Sequence, residues 1–190
     1  ELLMSGVTTT SDHHYLFPAD LGDAMDIQVE EARRLGIRMT VTRGSMNLSE
    51  KDGGLPPDSV VQDEDEILAD SERHVAAHHD RSHGAMVRIA LAPCSPFSVT
   101  PALMTATAEL AERLDGRLHT HLAENAEDDE YSLAHFGRRC VEQFEDTGKS
   151  KAPNTKSPVI YERMPFTVNG QAKLAAIVQM FESFHRGRVL

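Results

Sequence analysis

Four times between residues 2 and 122, a short run of apolar and β-branched residues gives way to a polar cluster and then to a longer stretch with helical spacing. That rhythm marks parallel βα units, because parallel strands need a long crossover and a helix is the usual one. The expected strands cover residues 7–10, 37–42, 86–91 and 118–122. The expected helices cover about 22–35, 63–79, 101–114 and 130–145. In the first of these, Met25, Val29, Ala32 and Leu35 recur near helical spacing and Gly36 stops the run. Acidic residues crowd the first turn of the second, where the helix dipole favours them. Thr100 before Pro101 is a hydroxyl N-cap followed by proline at the first helical position. Each strand sends its reactive residues out at its C-terminal end, which is where a (β/α)8 barrel assembles its active site. The expected architecture is therefore α/β, a partial (β/α)8 TIM barrel.

Composition narrows the field. With 190 residues, 40% of them hydrophobic, the chain suits one soluble domain. A net charge of -11 excludes nucleic acid and anionic membrane as partners, since either needs a basic face. No apolar run is long enough to span a bilayer, and no charged-then-apolar leader is present. Cys94 and Cys140 form no CxxC pair and point to a reducing, cytoplasmic setting. The chain opens on Glu1 rather than Met, so the natural N-terminus is expected to be missing. After Gly148 the character changes: a basic, proline-containing linker occupies 149–158, and an amphipathic helix is expected over 171–185. The division is a barrel segment over 1–148 and a divergent tail over 149–190.

The densest chemistry lies in His119-Thr120-His121-Leu122-Ala123-Glu124-Asn125. Side chains two apart on a strand share a face, so His119 and His121 point the same way. Glu124, three residues past His121, can turn back over whatever His121 holds. A neutral imidazole binds a divalent metal, and a nearby carboxylate can take a proton from the attacking water and pass it on. The competing reading is a polar strand end with solvated histidines.

Other exits carry weaker signals. His13 and His14 point to opposite faces, so at most one of them meets the site; His14 is the candidate substrate contact, with a plain loop role as the alternative. Arg43 opens a long polar loop and offers a planar fork for a carbonyl or ring nitrogen, or else a surface ion pair. Cys94 can line the pocket, but no base neighbours it in sequence, which speaks against a nucleophilic role. His119 can line the interior without binding metal. His74 and His78 have i, i+4 spacing but lack the glutamate of HExxH, and are expected at the surface.

Taken in order, Thr8-Thr9-Thr10-Ser11-Asp12-His13-His14-Tyr15-Leu16-Phe17-Pro18, Arg43-Gly44-Ser45-Met46, Gly54-Leu55-Pro56-Pro57-Asp58, Ala92-Pro93-Cys94-Ser95-Pro96-Phe97-Ser98 and the His119 segment resemble the amidohydrolase superfamily. Within it they resemble the branch holding 8-oxoguanine deaminase and hydroxyatrazine ethylaminohydrolase. The resemblance runs to about Gly148. It implies strands 2–5 of a metal-dependent barrel that hydrolyses C–N bonds in a small nitrogen heterocycle such as 8-oxoguanine or hydroxyatrazine, replacing an amino group by a carbonyl. It implies that His121 is a ligand of a divalent metal, zinc or iron, and that Glu124 is the proton shuttle. The family's other ligands, an HxH pair, a later histidine and a terminal aspartate, find no match here. Two readings follow: a hydrolase, or a non-catalytic truncated barrel whose metal site is incomplete. A half barrel with open edges is also expected to self-associate.

Overall fold

The computed structural model describes residues 1–18 and 21–143. Strands β1 (Thr9–Ser11), β2 (Arg38–Ser45), β3 (Val87–Pro93) and β4 (Arg117–Leu118) form one sheet in the order β1-β2-β3-β4, every pair parallel. Helices α1 (Ala24–Leu35), α2 (Glu64–His78) and α3 (Pro101–Arg113) join successive strands, and α4 (Ala126–Phe136) follows β4. Strands adjacent in both space and sequence, with a helix in each connection, make an arc of a (β/α)8 barrel.

Strand alternation sorts the side chains between the two faces. Val41 of β2 and Val87, Ile89 and Leu91 of β3 enter a core with Met25 and Val29 of α1, Val75 of α2 and Leu110 of α3. The positions between them carry small residues, Thr42, Gly44, Ala90 and Ala92, and face the barrel interior. A second core of Met46, Ile67, Cys94, Val99, Leu103 and Met104, with Tyr15 and Leu122 packed against it, fills the C-terminal end of the sheet. It forms the floor under the strand exits.

Helix ends follow local chemistry. Asp63 caps α2 by accepting from the Asp65 and Glu66 amides, Thr100 caps α3 through the Leu103 amide, and Gly36 closes α1 in the left-handed conformation.

The structure corrects several expected boundaries. β2 and β3 each run further than the apolar pattern suggests, because Gly44 pairs with Ala92 and Ser45 with Pro93, so the ladder carries the chain past Thr42 and Leu91. Gly44 is needed here: a Cβ would lie 2.1 Å from the His14 carbonyl oxygen. β4 is only two residues long, although the chain stays beside β3 through His119 N–H to the Leu91 carbonyl (2.9 Å) and His121 N–H to the Cys94 carbonyl (2.8 Å). Two residues on one side there span three on the other, which breaks the regular ladder. α4 starts and ends earlier than the expected 130–145, because Asn125 caps it and Gly137 ends it. His74 and His78 do not lie open at the surface: His74 is fully buried and His78 is partly exposed, its side chain keeping 15% of its surface, where α2 meets α1. The division at 148/149 and the helix expected over 171–185 lie outside the described residues.

Candidate metal centre and active site

A break in the β1–β2 ladder builds the first half of the site. Beyond Ser11, the Asp12 amide still donates to the Thr40 carbonyl, but at the next level the Asp12 carboxylate takes the place of backbone. Its Oδ1 accepts from the Thr42 amide at 2.7 Å and from the Thr42 hydroxyl at 3.0 Å. Thr42 Oγ1 in turn accepts from the His14 amide, and the Gly44 amide donates to the His14 carbonyl. The side chains of Asp12 and Thr42 thus bridge a gap in the ladder while the two strands stay in register, with no residue inserted on either. Strand alternation continuing past Ser11 then sets His13 in the interior.

There His13 meets the other half. Its ring stacks on His121 with centroids 4.0 Å apart and lies 4.3 Å from His119, and Tyr15 stands edge-on to both His13 and His121. Cys94 Sγ is 3.8 Å from His121 Nδ1. One donor atom each from His13, Cys94 and His121 lies within 4.8 Å of the other two. Both ring nitrogens of His13 are buried without a hydrogen-bond partner. Burial, then the neighbouring His119 and His121, lower the His13 pKa to about 3. Burial and His121 lower that of His119 as well. Both rings are therefore neutral at physiological pH, the state a ligating imidazole needs. Two imidazoles and a sulfur suit a zinc-like ion, so the donor set fits a divalent metal.

Glu124 sits at the lip. Ala123 adopts a left-handed φ of 50°, which reverses the chain between His121 and Glu124. The turn is pinned from both sides: the Glu124 amide donates to Asp128 Oδ2 at 2.6 Å, and the Asp128 amide to Asn125 Oδ1 at 3.0 Å. Burial raises the Cys94 thiol pKa, Ser98 and Ser95 partly oppose the rise, and the negative charge of Glu124 adds to it.

Of the residues singled out in the sequence, the structure gathers His119, His121, Cys94 and Glu124 at one end of the sheet. His14 does not join them. Its Nε2 donates to the Leu16 carbonyl at 2.8 Å, its Nδ1 accepts from Gln28 at 3.3 Å, and its ring packs on Phe17. Arg43 lies on the helix side of the sheet and is buried rather than superficial. It pairs with Asp70 at 2.6 Å, donates to Gln62 and to the Gly44 carbonyl, and stacks over Phe17 at 4.0 Å. His13, Asp12, Thr42 and Tyr15 were not singled out as this group. For His13 the signal is present, since the sequence admits one of the two adjacent histidines to the interior, but only the register of β1 on β2 decides which.

The long loop is fastened over this end. Gln62 N–H to the Met46 carbonyl closes its base, Asn47 exchanges hydrogen bonds with Thr100, and Tyr131 of α4 donates to the Gly53 carbonyl.

Comparison with known proteins places this arrangement. The family model described as the amidohydrolase family matches residues 1–175. The chain belongs to the amidohydrolase family. The match crosses residue 148, while individual relatives align over about that length. This amidohydrolase chain is 57% identical over 148 residues to 8-oxoguanine deaminase of Pseudomonas aeruginosa, covering 78% of the chain and 33% of that protein. It is 36% identical over 149 residues to hydroxydechloroatrazine ethylaminohydrolase of Pseudomonas sp. strain ADP, covering 78% of the chain and 31% of the relative. Among solved structures, atrazine chlorohydrolase TrzN of Arthrobacter aurescens TC1, complexed with zinc, superposes with a TM-score of 0.72 at 35% identity, over 77% of this chain and 32% of that one. The chain spans about a third of the length of the curated relatives it matches. The sheet, its order and its helix layer are those of an amidohydrolase TIM barrel. Among the described residues no helix is long and apolar enough to cross a membrane.

Proposed function

We propose that this chain carries one part of a metal-dependent aminohydrolase site, acting on a small oxopurine-like or triazine-like ring and replacing an amino group by a carbonyl. The observation that carries the reading is the interior cluster of His13, His121 and Cys94, with Tyr15 edge-on to both imidazoles and Glu124 three residues past His121. The identities of the relatives support the substrate class, and the zinc of the related hydrolase supports zinc as the ion.

In this reading His121 is the ligand, with His13 and Cys94 as the donors beside it. A divalent metal held by these residues would supply an activated water at neutral pH, by lowering that water's pKa toward ~7. Glu124 accepts the water's proton on its carboxylate and delivers it to a ring nitrogen, which makes the adjacent ring carbon electrophilic. It then helps the amine depart. His119 lines the pocket against the ring, as does Cys94 where it is not engaged as a donor. His14 and Arg43 act from behind the wall: His14 braces Phe17, and Arg43 ties β2 to α2. Free Cys94 and Cys140 fit a reducing compartment such as the cytoplasm.

A second reading, that the chain alone is inactive, rests on the donor count. Among the described residues the interior group offers two histidines and a thiol, whereas zinc sites usually take three or four firm protein ligands. A burial-raised thiol pKa makes Cys94 a reluctant one.

A graft tests both readings. Residues 1–143 replace the matching segment of the Pseudomonas aeruginosa deaminase, and ammonia release from 8-oxoguanine is compared with that of the isolated chain. We expect the graft to turn over and the isolated chain to show no release above background with zinc or iron. In the graft, Glu124→Gln should keep the metal and lose turnover by roughly 10²–10⁴-fold, because an amide cannot shuttle protons. Retained turnover would remove Glu124 from its role. A folded, metal-loaded but inactive graft would remove the substrate assignment.

A further inference from the structure

The helix layer holds a second group of donor atoms, on the opposite side of the sheet from the interior cluster. His74 and His78 stand one turn apart on α2 and share a face, and Asp26 in the first turn of α1 faces them. His78 Nε2 lies 2.6 Å from Asp26 Oδ1, and His74 Nδ1 lies 3.9 Å from the same oxygen. One donor atom from each of the three residues is within 4.8 Å of the other two.

The surrounding hydrogen bonds account for only part of this. Arg73 donates to Asp26 Oδ2 and Asp70 Oδ1, both at 3.0 Å, and its Nη2 is 2.6 Å from His74 Nε2. A guanidinium can only donate, so Nε2 accepts and the ring proton sits on Nδ1. That nitrogen is buried and has no partner, on a side chain with no exposed surface. Buried donors are rarely left unpaired without a reason. Nδ1 is aimed at the carboxylate oxygen that His78 already touches, the place where a shared cation would sit.

We propose that Asp26, His74 and His78 form a binding site for a divalent transition-metal ion of the zinc type, clasping α1 to α2. Two imidazoles and a carboxylate are a donor set that zinc accepts, with solvent completing the shell from the exposed side of Asp26. In each imidazole the proton then moves to the nitrogen facing away from the ion. For His74 that is Nε2, which has Asp70 Oδ1 at 3.4 Å to receive it, the carboxylate-behind-histidine arrangement that orients metal ligands. Arg73, half-exposed, swings off His74 and keeps the carboxylates.

The test titrates the tag-free 190-residue chain with zinc and with cobalt(II), beside Asp26→Asn and His78→Gln. Both substitutions fall on residues with solvent exposure, so the core is spared. The expected result is a bound cobalt ion without the near-ultraviolet charge-transfer band of a thiolate ligand, which separates it from an ion held by Cys94. Zinc should raise the thermal unfolding midpoint, since a ligand of the folded state alone stabilises it. Each substitution should weaken that binding by about tenfold or more and abolish the thermal shift. Should His78→Gln lower helix content in the metal-free chain, Asp26→Asn decides alone. Equal zinc affinity and equal thermal shift in the parent and Asp26→Asn, or cobalt bound only with a thiolate signature, would overturn the site.

Discussion

At the scale of single residues, Arg43 shows how strand parity decides a role. Val41 faces the helix layer, so Arg43, two residues on, does too. The guanidinium is then buried and must be paired. Asp70 of α2 supplies the charge, and burial, which would raise the Asp70 pKa, is outweighed by the Arg43 charge and hydrogen bond, which hold it well below the usual carboxylate range. The folded state therefore favours the charged carboxylate. The stabilisation is complete above the ordinary carboxylate pKa of about 3.9 and is lost as pH falls below it. Asp70→Asn should cost about 3 kcal/mol at neutral pH by leaving Arg43 without its counter-charge. Urea unfolding at fixed protein concentration checks this, and the variant's penalty should shrink when the same measurement is made near pH 3. A penalty independent of pH would mean that the pair contributes nothing.

At the scale of elements, the turn that delivers Glu124 depends on the start of α4. Asn125 caps the helix while Asp128 reaches back to the Glu124 amide, a reciprocal arrangement of the capping-box kind. Asn125→Ala should cost about 1 kcal/mol. It should also raise hydrogen exchange at the Glu124 and Asp128 amides while leaving the strand amides of β2 and β3 unchanged. Uniform loss of protection would show that the cap supports the whole fold instead of this turn. The N-x-x-D pattern that sets this boundary stands in the sequence, yet the apolar spacing over 130–145 obscures it. Local capping outweighed a weak helical period, as it also did at Gly137.

At the scale of the molecule, four parallel strands make an open sheet. Among the described residues β1 and β4 are paired on one side only, and natural sheets cover or shorten such edges. Leu2, Leu3, Met4 and Leu16, near β1, and Met86, just before β3, add exposed apolar surface. The isolated chain should therefore self-associate, and sedimentation should show a mass that rises with concentration across the micromolar range. A monomer at every concentration would overturn this expectation.

Much of this was legible without coordinates. The four βα units, their parallel order, the caps at Thr100 and Gly36, and the gathering of His119, His121, Cys94 and Glu124 at strand exits all follow from residue period, turn chemistry and chain direction, which are local. Three things were decided by tertiary contact. Which of His13 and His14 enters the interior depends on the register of β1 on β2, carried past Ser11 by Asp12 and Thr42, residues 30 apart in sequence. Where Arg43 finds its partner depends on α2 packing over β2. Whether His74 and His78 are wet or dry depends on α1 lying against them, and a helix period alone cannot say what will cover its polar stripe. Local chemistry determined the elements and their polarity, and long-range packing decided which polar groups lost water and so had to find each other.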